Sequence, residues 1–184
     1  MITVSNLFKS FGQTPVLCGA TLTLAKGTST VVIGKSGSGK SVLMKSILGL
    51  VKPDSGTILQ DGAPLDQTRF LDDFGMLFQG AALFDSLPVW QNVAFRLLRR
   101  MPKAKARAIA LEKLGRVGLE ADVADRLPAM LSGGMQKRAG LARAIATNPS
   151  VLFFDEPTTG LDPIMARAIN DLIRDIVRET TPPH

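Results

Sequence analysis

The run Gly34-Lys35-Ser36-Gly37-Ser38-Gly39-Lys40-Ser41 constrains this chain more than any other stretch. It follows the apolar triplet Val31-Val32-Ile33 and leads into Val42-Leu43-Met44-Lys45-Ser46-Ile47-Leu48. A buried strand, a glycine-rich bend and a helix, in that order, form the setting in which this spacing of glycine, lysine and serine binds phosphate. Glycines let successive backbone N–H groups turn toward one anion, where side chains would block the approach. The helix start adds donors and the positive end of its dipole. Lys40 brings a mobile positive charge to the outer phosphates, and the Ser41 hydroxyl suits one position around Mg²⁺. The predicted nucleotide contacts are therefore Gly34, Lys35, Ser36, Gly37, Ser38, Gly39, Lys40, Ser41 and Val42. A plain glycine-rich linker would need neither the strand before it nor the helix after it.

The chain has 184 residues, enough for one domain with an insertion and a core of its own. A net charge of +6 admits an anionic partner. No basic tract is interleaved with aromatics, so direct nucleic-acid binding is not expected. The apolar runs fall far short of the ~18 residues that would suggest a membrane span, and no basic–apolar–small leader follows Met1. Cys18 is the sole cysteine, which rules out a disulfide framework within the chain and reads as a small buried or half-buried thiol. These features predict a protein on the cytoplasmic side that reaches a membrane through a partner.

Strands are expected over Ile2–Phe8, Ala20–Leu24, Thr57–Leu59, Phe74–Phe78 and Val151–Phe154, with a hairpin turn at Asp61-Gly62. From Gly80 to about Asn148 the texture changes to helices and loops. Ala106, Ile109, Ala110, Leu114 and Val117 make a helical stripe closed by Gly118. Another helix runs over Met135–Ala146, and a last one from about Pro163 to Arg178 before a frayed tail ending at His184. Arg96, Arg99, Arg100, Lys103, Lys105 and Arg107 form a basic run, readable as a solvated face or as a contact for a headgroup or partner.

Two further stretches carry chemistry. Val151-Leu152-Phe153-Phe154 delivers Asp155-Glu156, an apolar strand ending in two acids. Asp155 suits Mg²⁺, and Glu156 stands where a general base would polarise a water for attack on a γ-phosphate. Leu131-Ser132-Gly133-Gly134-Met135 sets a serine and two glycines at a helix start. Two anion-binding helix starts in one chain suggest two phosphate contacts, which one nucleotide satisfies across a dimer.

With these motifs in this order, nearly the whole chain resembles the ATP-binding cassette (ABC) ATPases. The resemblance implies an α/β P-loop NTPase fold: a RecA-like core (1–79 and 149–184) with an inserted α-helical subdomain (80–148) that bears the signature motif, truncated at the C-terminus. It implies two copies packed head to tail, with ATP and Mg²⁺ on one phosphate loop closed by Ser132, Gly133 and Gly134 of the other. Phe11 matches the aromatic that stacks on adenine, with a core phenylalanine as the alternative. Gln79 matches the Q-loop glutamine, which touches Mg²⁺ or the attacking water beside the catalytic Glu156. Asp162, in Gly160-Leu161-Asp162, matches the D-loop at the dimer interface, with a helix cap as the alternative. The metal set so implied is Ser41, Gln79 and Asp155. Met135 replaces the commoner glutamine after the signature glycines, a mild change because backbone N–H groups and Ser132 do the binding.

The family continues past the D-loop helix into a further strand and a switch histidine. His184 follows Pro182-Pro183 rather than an apolar strand and is not read as that switch. In the family the further strand lies between the phosphate-loop strand and the Asp155 strand. Without it the backbone of Val31–Ile33 loses partners, at about 1–3 kcal/mol for each buried group, against ~5–15 kcal/mol for a whole domain. The segment Met76 to Leu87, then Trp90 to Phe95, resembles more narrowly the ATPase of Mla-type phospholipid (organic-solvent-tolerance) transporters. Leu83, Phe84 and Trp90 then face a permease's coupling helix, or else pack inside the helical subdomain. The implied function is the ATPase subunit of an ABC transporter at the cytoplasmic face of the inner membrane, with a permease partner and a lipid cargo. The alternatives are a non-catalytic nucleotide-binding remnant, a soluble ABC ATPase not tied to transport, and a P-loop kinase, which would have no use for the signature stretch.

Overall fold

A computed structural model describes residues 1–35, 37–66 and 73–180. Two compact units are found, Met1–Asp72 and Asp73–Thr180. Ser36, predicted to touch phosphate, and His184 lie outside the described residues.

In the first unit β1 (Ile2–Phe11) pairs antiparallel with β2 (Thr14–Leu24) and with β3 (Ser55–Gln60), and β3 turns at Asp61-Gly62 into β4 (Ala63–Pro64). The sheet order is β2-β1-β3-β4. Ile2 and Val4 are buried at the two-residue period of a half-buried strand, but the next buried residue is Leu7. A register shift between Val4 and Leu7 absorbs the odd residue, and Asn6 takes it up with φ 49°. Asparagine tolerates that left-handed conformation, so the bulge keeps the apolar residues on the core side. Cys18 pairs with Phe8 on the opposite, exposed face. The expectation of a buried or half-buried thiol is thus corrected by strand register. Helix α1 (Lys40–Ile47) follows the glycine bend and buries Leu43 and Ile47.

The triplet Val31-Val32-Ile33 does not form the buried strand expected of it. It is irregular and exposed, at 76%, 47% and 90%. An extended segment becomes a strand when its N–H and C=O groups find a neighbouring ladder. Among the described residues no strand pairs with this one, as the pairing consideration above anticipates.

In the second unit β5 (Phe74–Leu77) and β6 (Val151–Phe154) run parallel, with Phe74 opposite Val151 and Leu77 opposite Phe154. The helices are α2 (Val89–Ala94), α3 (Lys103–Arg116), α4 (Gly133–Ile145) and α5 (Pro163–Thr180). Residues 80–148, the expected helical insertion, lie within this unit. Leu77, Trp90, Val93, Leu114, Leu141 and Ile145 belong to one hydrophobic core. On α3 the predicted stripe holds: Ala106, Ala110, Leu114 and Val117 are buried and Ile109 half-buried. Gly118 then ends the helix, with the Leu119 N–H bonded to the Leu114 carbonyl. Two glycines let α4 approach β5 closely. A Cβ on Gly75 would lie 2.0 Å from the Ala144 carbonyl oxygen, and one on Gly140 would lie 2.9 Å from Leu77 Cδ1.

Trp90 is 3% exposed, so its place is inside the helical core rather than on a docking groove. Lys103 and Arg107 lie over its ring, at 5.6 and 5.3 Å from the centroid. Arg96, from the same basic run, turns inward onto the Phe74 ring and donates to the Phe74 carbonyl. Arg99, Arg100, Lys103 and Lys105 stay exposed. The run is thus partly structural.

Candidate functional site

The phosphate loop is built within the first unit. Gly37 and Gly39 have φ 78° and 91°, values that favour glycine. A Cβ on Gly39 would come within 2.9 Å of the Val16 carbonyl oxygen, and one on Gly34 within 2.6 Å of Ser38 Oγ. The loop backbone therefore bends where side chains would block it. Lys40 Nζ donates to the carbonyls of Gly34 at 2.8 Å and Lys35 at 2.9 Å, which holds its charge against the bend. The Leu43 N–H bonds to the Gly39 carbonyl and starts the helical ladder. The N–H groups before it have no partner inside the helix, which is the property an anion exploits. Ser41 and Val42, both half-buried, sit in this first turn. Phe11 is not a core residue: it ends β1 at 51% exposure, with Lys9 Nζ 5.4 Å from its ring centroid.

The acid end of the site is built within the second unit. The last β5–β6 pair is Leu77 with Phe154, so Gln79 and Glu156 each stand two residues past the ladder on adjacent strands. Equal offsets bring them together: Gln79 Nε2 donates to Glu156 Oε2 at 2.8 Å. Thr159 Oγ1 donates to the same oxygen at 3.1 Å. The Asp155 N–H extends the ladder to the Leu77 carbonyl at 2.9 Å, which places its half-buried carboxylate beside this pair in sequence. Glu156 has φ 47°, a left-handed conformation that costs a non-glycine residue about 1–2 kcal/mol.

The signature stretch opens α4 with its serine and first glycine exposed. Ser132 is the helix cap, its Oγ accepting from the Met135 N–H at 3.3 Å. Gly134 is buried, and a Cβ there would lie 2.2 Å from Met165 Cε on α5. Asp162 caps α5, its Oδ1 accepting from the N–H groups of Ile164 and Met165 at 3.0 Å each. The cap alternative for Asp162 is thus realised.

Sequence reasoning missed three polar residues that shape this end. Lys137 Nζ donates to the Gln79 carbonyl. Its ammonium is pushed below the usual lysine value by burial, with the charge of Glu156 opposing that. Arg143 donates to the carbonyls of Ala82 at 2.7 Å and Ala81 at 2.6 Å, and burial lowers its pKa as well. Ala81 and Ala82 have φ 61° and 49°, a pair of left-handed residues that the guanidinium fork holds in place. Asn92 is fully buried: its Oδ1 accepts from the Phe84 N–H at 2.6 Å, and its Nδ2 donates to the carbonyls of Phe84 and Leu87. Asn92 and Lys137 are buried and Arg143 half-buried, positions where an unpaired polar group would be costly. The sequence alone marks them only as polar residues on otherwise apolar or small-residue helical faces.

No cluster of three histidine, cysteine or acidic side chains capable of holding a metal occurs among the described residues. The implied set of a serine hydroxyl, an amide oxygen and a carboxylate is hard and oxygen-only. Donors of this type suit Mg²⁺; Ser41 belongs to the first unit, and Gln79 and Asp155 to the second. None of the helices, among the described residues, is long and apolar enough to cross a membrane.

Together the glycine bend, its lysine and the acid-tipped strand define a P-loop NTPase fold. A family model described as ABC transporter matches residues 17–159, and the chain belongs to that family. The probable ribonucleotide transport ATP-binding protein mkl of Mycobacterium tuberculosis is 43% identical over 185 residues, covering 95% of this chain and 51% of the relative. The Arabidopsis thaliana chloroplastic protein trigalactosyldiacylglycerol 3 is 39% identical, covering 96% of this chain and 55% of that protein. The chain thus spans about half the length of these curated relatives. Among solved structures, the dimeric ATP-binding cassette MJ0796 in a post-hydrolysis state bound to ADP and Pi superposes with a TM-score of 0.88. It is 32% identical, over 98% of this chain and 84% of that one. CbiO1 from Clostridium perfringens, part of the ABC transporter complex cbiONQ, gives a TM-score of 0.84 at 31% identity, over 98% of this chain and 74% of that one.

Proposed function

We propose that this chain is the ATP-binding and hydrolysing part of an ABC transporter. The observation that carries the proposal is the 2.8 Å bond from Gln79 to Glu156 at the ends of adjacent parallel strands. An amide donor on one carboxylate oxygen leaves the other oxygen able to accept a proton from water, and fixes its direction. Glu156 is then the group that polarises water, and Gln79 the group that orients it. Lys40 counters the charge of the outer phosphates, the loop from Gly34 to Val42 cradles them, and Phe11 offers an exposed ring to adenine. Mg²⁺, held by Ser41, Asp155 and Gln79, would neutralise charge developing between the phosphates.

A second copy completes the site in this reading. Ser132 and Gly133 stand exposed at a helix start, available to the γ-phosphate of the opposing copy. The dimeric state of MJ0796 supports that arrangement by analogy. A permease partner at the cytoplasmic face of the inner membrane follows from the transport role, with cbiO1 as the precedent in a transporter complex. For cargo we favour phospholipid, on the Met76–Leu87 and Trp90–Phe95 resemblance. The relatives' names range from ribonucleotide and glutamate transport to a trigalactosyldiacylglycerol protein.

Single-turnover ATP hydrolysis by the purified chain, beside Glu156→Gln, tests the enzymatic reading. Equal rates would overturn it. One observation favours a second reading, nucleotide binding without turnover: the unpaired, exposed Val31–Ile33 leads directly into the phosphate loop. Binding of ATP with no turnover in the wild-type chain would select it.

A further inference from the structure

Lys137, Gly140 and Arg143 lie three residues apart on α4, a spacing that places them in one stripe along the helix. Each meets the chain just past β5. Lys137 donates to the Gln79 carbonyl. Gly140 leaves room for Leu77 at the end of β5 and for Ala81 beyond it; Leu77 Cδ1 and Ala81 Cβ would lie 2.9 and 3.2 Å from an added methyl. The two NH groups of Arg143 take the carbonyls of Ala81 and Ala82, at 2.6 and 2.7 Å. Both alanines are held in the left-handed region, which needs support from outside the loop. The bend that leaves Gln79 is therefore shaped by one face of α4, and the Gln79 side chain must reach Glu156 from it.

We propose that Arg143, with Lys137 and Gly140, is a positioning device that sets the reach of Gln79 to Glu156, and so acts on hydrolysis without touching nucleotide. Its role in hydrolysis rests on the enzymatic reading above; its role in the geometry does not. Arginine is suited to the task because its planar fork spans two successive carbonyls, which a lysine ammonium cannot match in direction. Ser132 caps the same helix, so the signature tip and the Gln79 bend both lie on one rod of 13 residues, Gly133–Ile145.

The test uses the full chain and two readouts. In the first, the side-chain amide resonance of Gln79 is followed by NMR without nucleotide, with Glu156→Ala marking its position when the bond is lost. Arg143→Lys should move that resonance toward the Glu156→Ala position; an unmoved resonance overturns the proposal. In the second, single-turnover hydrolysis should fall about tenfold in Arg143→Lys with ATP affinity unchanged. In a Gln79→Ala background the same substitution should cost less than about twofold, because the residue it acts through is gone. A second full tenfold loss in that background, or a loss of affinity in place of rate, overturns it. A wild-type chain without turnover sinks the enzymatic reading alone, and the amide resonance then decides the positioning. Should Arg143→Lys fail to fold, Lys137→Met removes the donor to the Gln79 carbonyl at nearly constant volume, and should displace the resonance in the same direction; an unmoved resonance there overturns the proposal equally.

Discussion

Two apolar stretches of similar composition lead into chemistry in this chain, and they fold differently. Val151–Phe154 is a strand because Phe74–Leu77 lies beside it, residue against residue, and its far end delivers Asp155 and Glu156. Val31–Ile33, equally apolar and β-branched throughout, stays irregular and exposed because no described strand offers it a ladder. Composition makes a segment fit to be a strand, and pairing makes it one. The phosphate-binding bend therefore rests on its glycines, Lys40, α1 and the antiparallel sheet behind Gly39, with no described ladder for the triplet that leads into it. The acid pair instead stands at the end of a paired strand, over a helical core and the polar supports from α4.

The sharpest way to break this contrast is to disable each half in turn. Lys40→Ala should abolish nucleotide binding, because it removes the charge set against the bend; unchanged affinity by fluorescence titration would refute the assignment. Glu156→Gln should keep binding yet slow hydrolysis by ~10²–10⁴-fold, the usual contribution of a positioned general base. Hydrogen exchange comes next. Amides of Val31–Ile33 should exchange at least ~10³-fold faster than those of Leu77 and Phe153, which face each other's strand in a buried parallel ladder. Equal protection would show that the triplet is paired in solution.

Packing in the acid half has its own test. Asn92→Ala leaves the N–H and carbonyl of Phe84 and the carbonyl of Leu87 without their side-chain partner. Unfolding by urea should show a loss of about 3 kcal/mol, since each stranded polar group costs about 1–3 kcal/mol and some will rehydrate. The smallest effect belongs to the first unit. Asp54 accepts from Lys9 Nζ and the Ser10 N–H, and these hold its carboxyl below the ordinary 3.8. A carboxylate with a lowered folded pKa stabilises above its ordinary value and loses that contribution as pH falls through the lowered one. Asp54→Asn should thus remove a small stability difference at pH 7 that has already vanished in strong acid. A difference that persists in strong acid would assign the effect to something other than charge.

Much of this was legible in local sequence. The Asp61-Gly62 turn, the stripe from Ala106 to Val117, the Gly118 stop and the Ser132 cap all depend on neighbours within a few residues. So does the phosphate loop, because glycine spacing and Lys40 act within one bend. What failed to show was non-local. Whether Val31–Ile33 pairs depends on a strand far away in sequence. Whether Trp90 is buried depends on how α2 meets α3, so the sequence left a docking groove and a place inside the helical subdomain both open. Lys137 and Arg143 read as ordinary helix residues until the fold brings residues 79–82 against them.

Glu156 carries a last consequence. Its backbone sits in a region that glycine or asparagine occupies with less strain, so the working residue at this position is not the most comfortable one. Heat-resistant variants selected without regard to turnover should accumulate glycine or asparagine there, exchanging a reactive carboxylate for a relaxed turn. Durability and chemistry pull this corner of the chain in opposite directions.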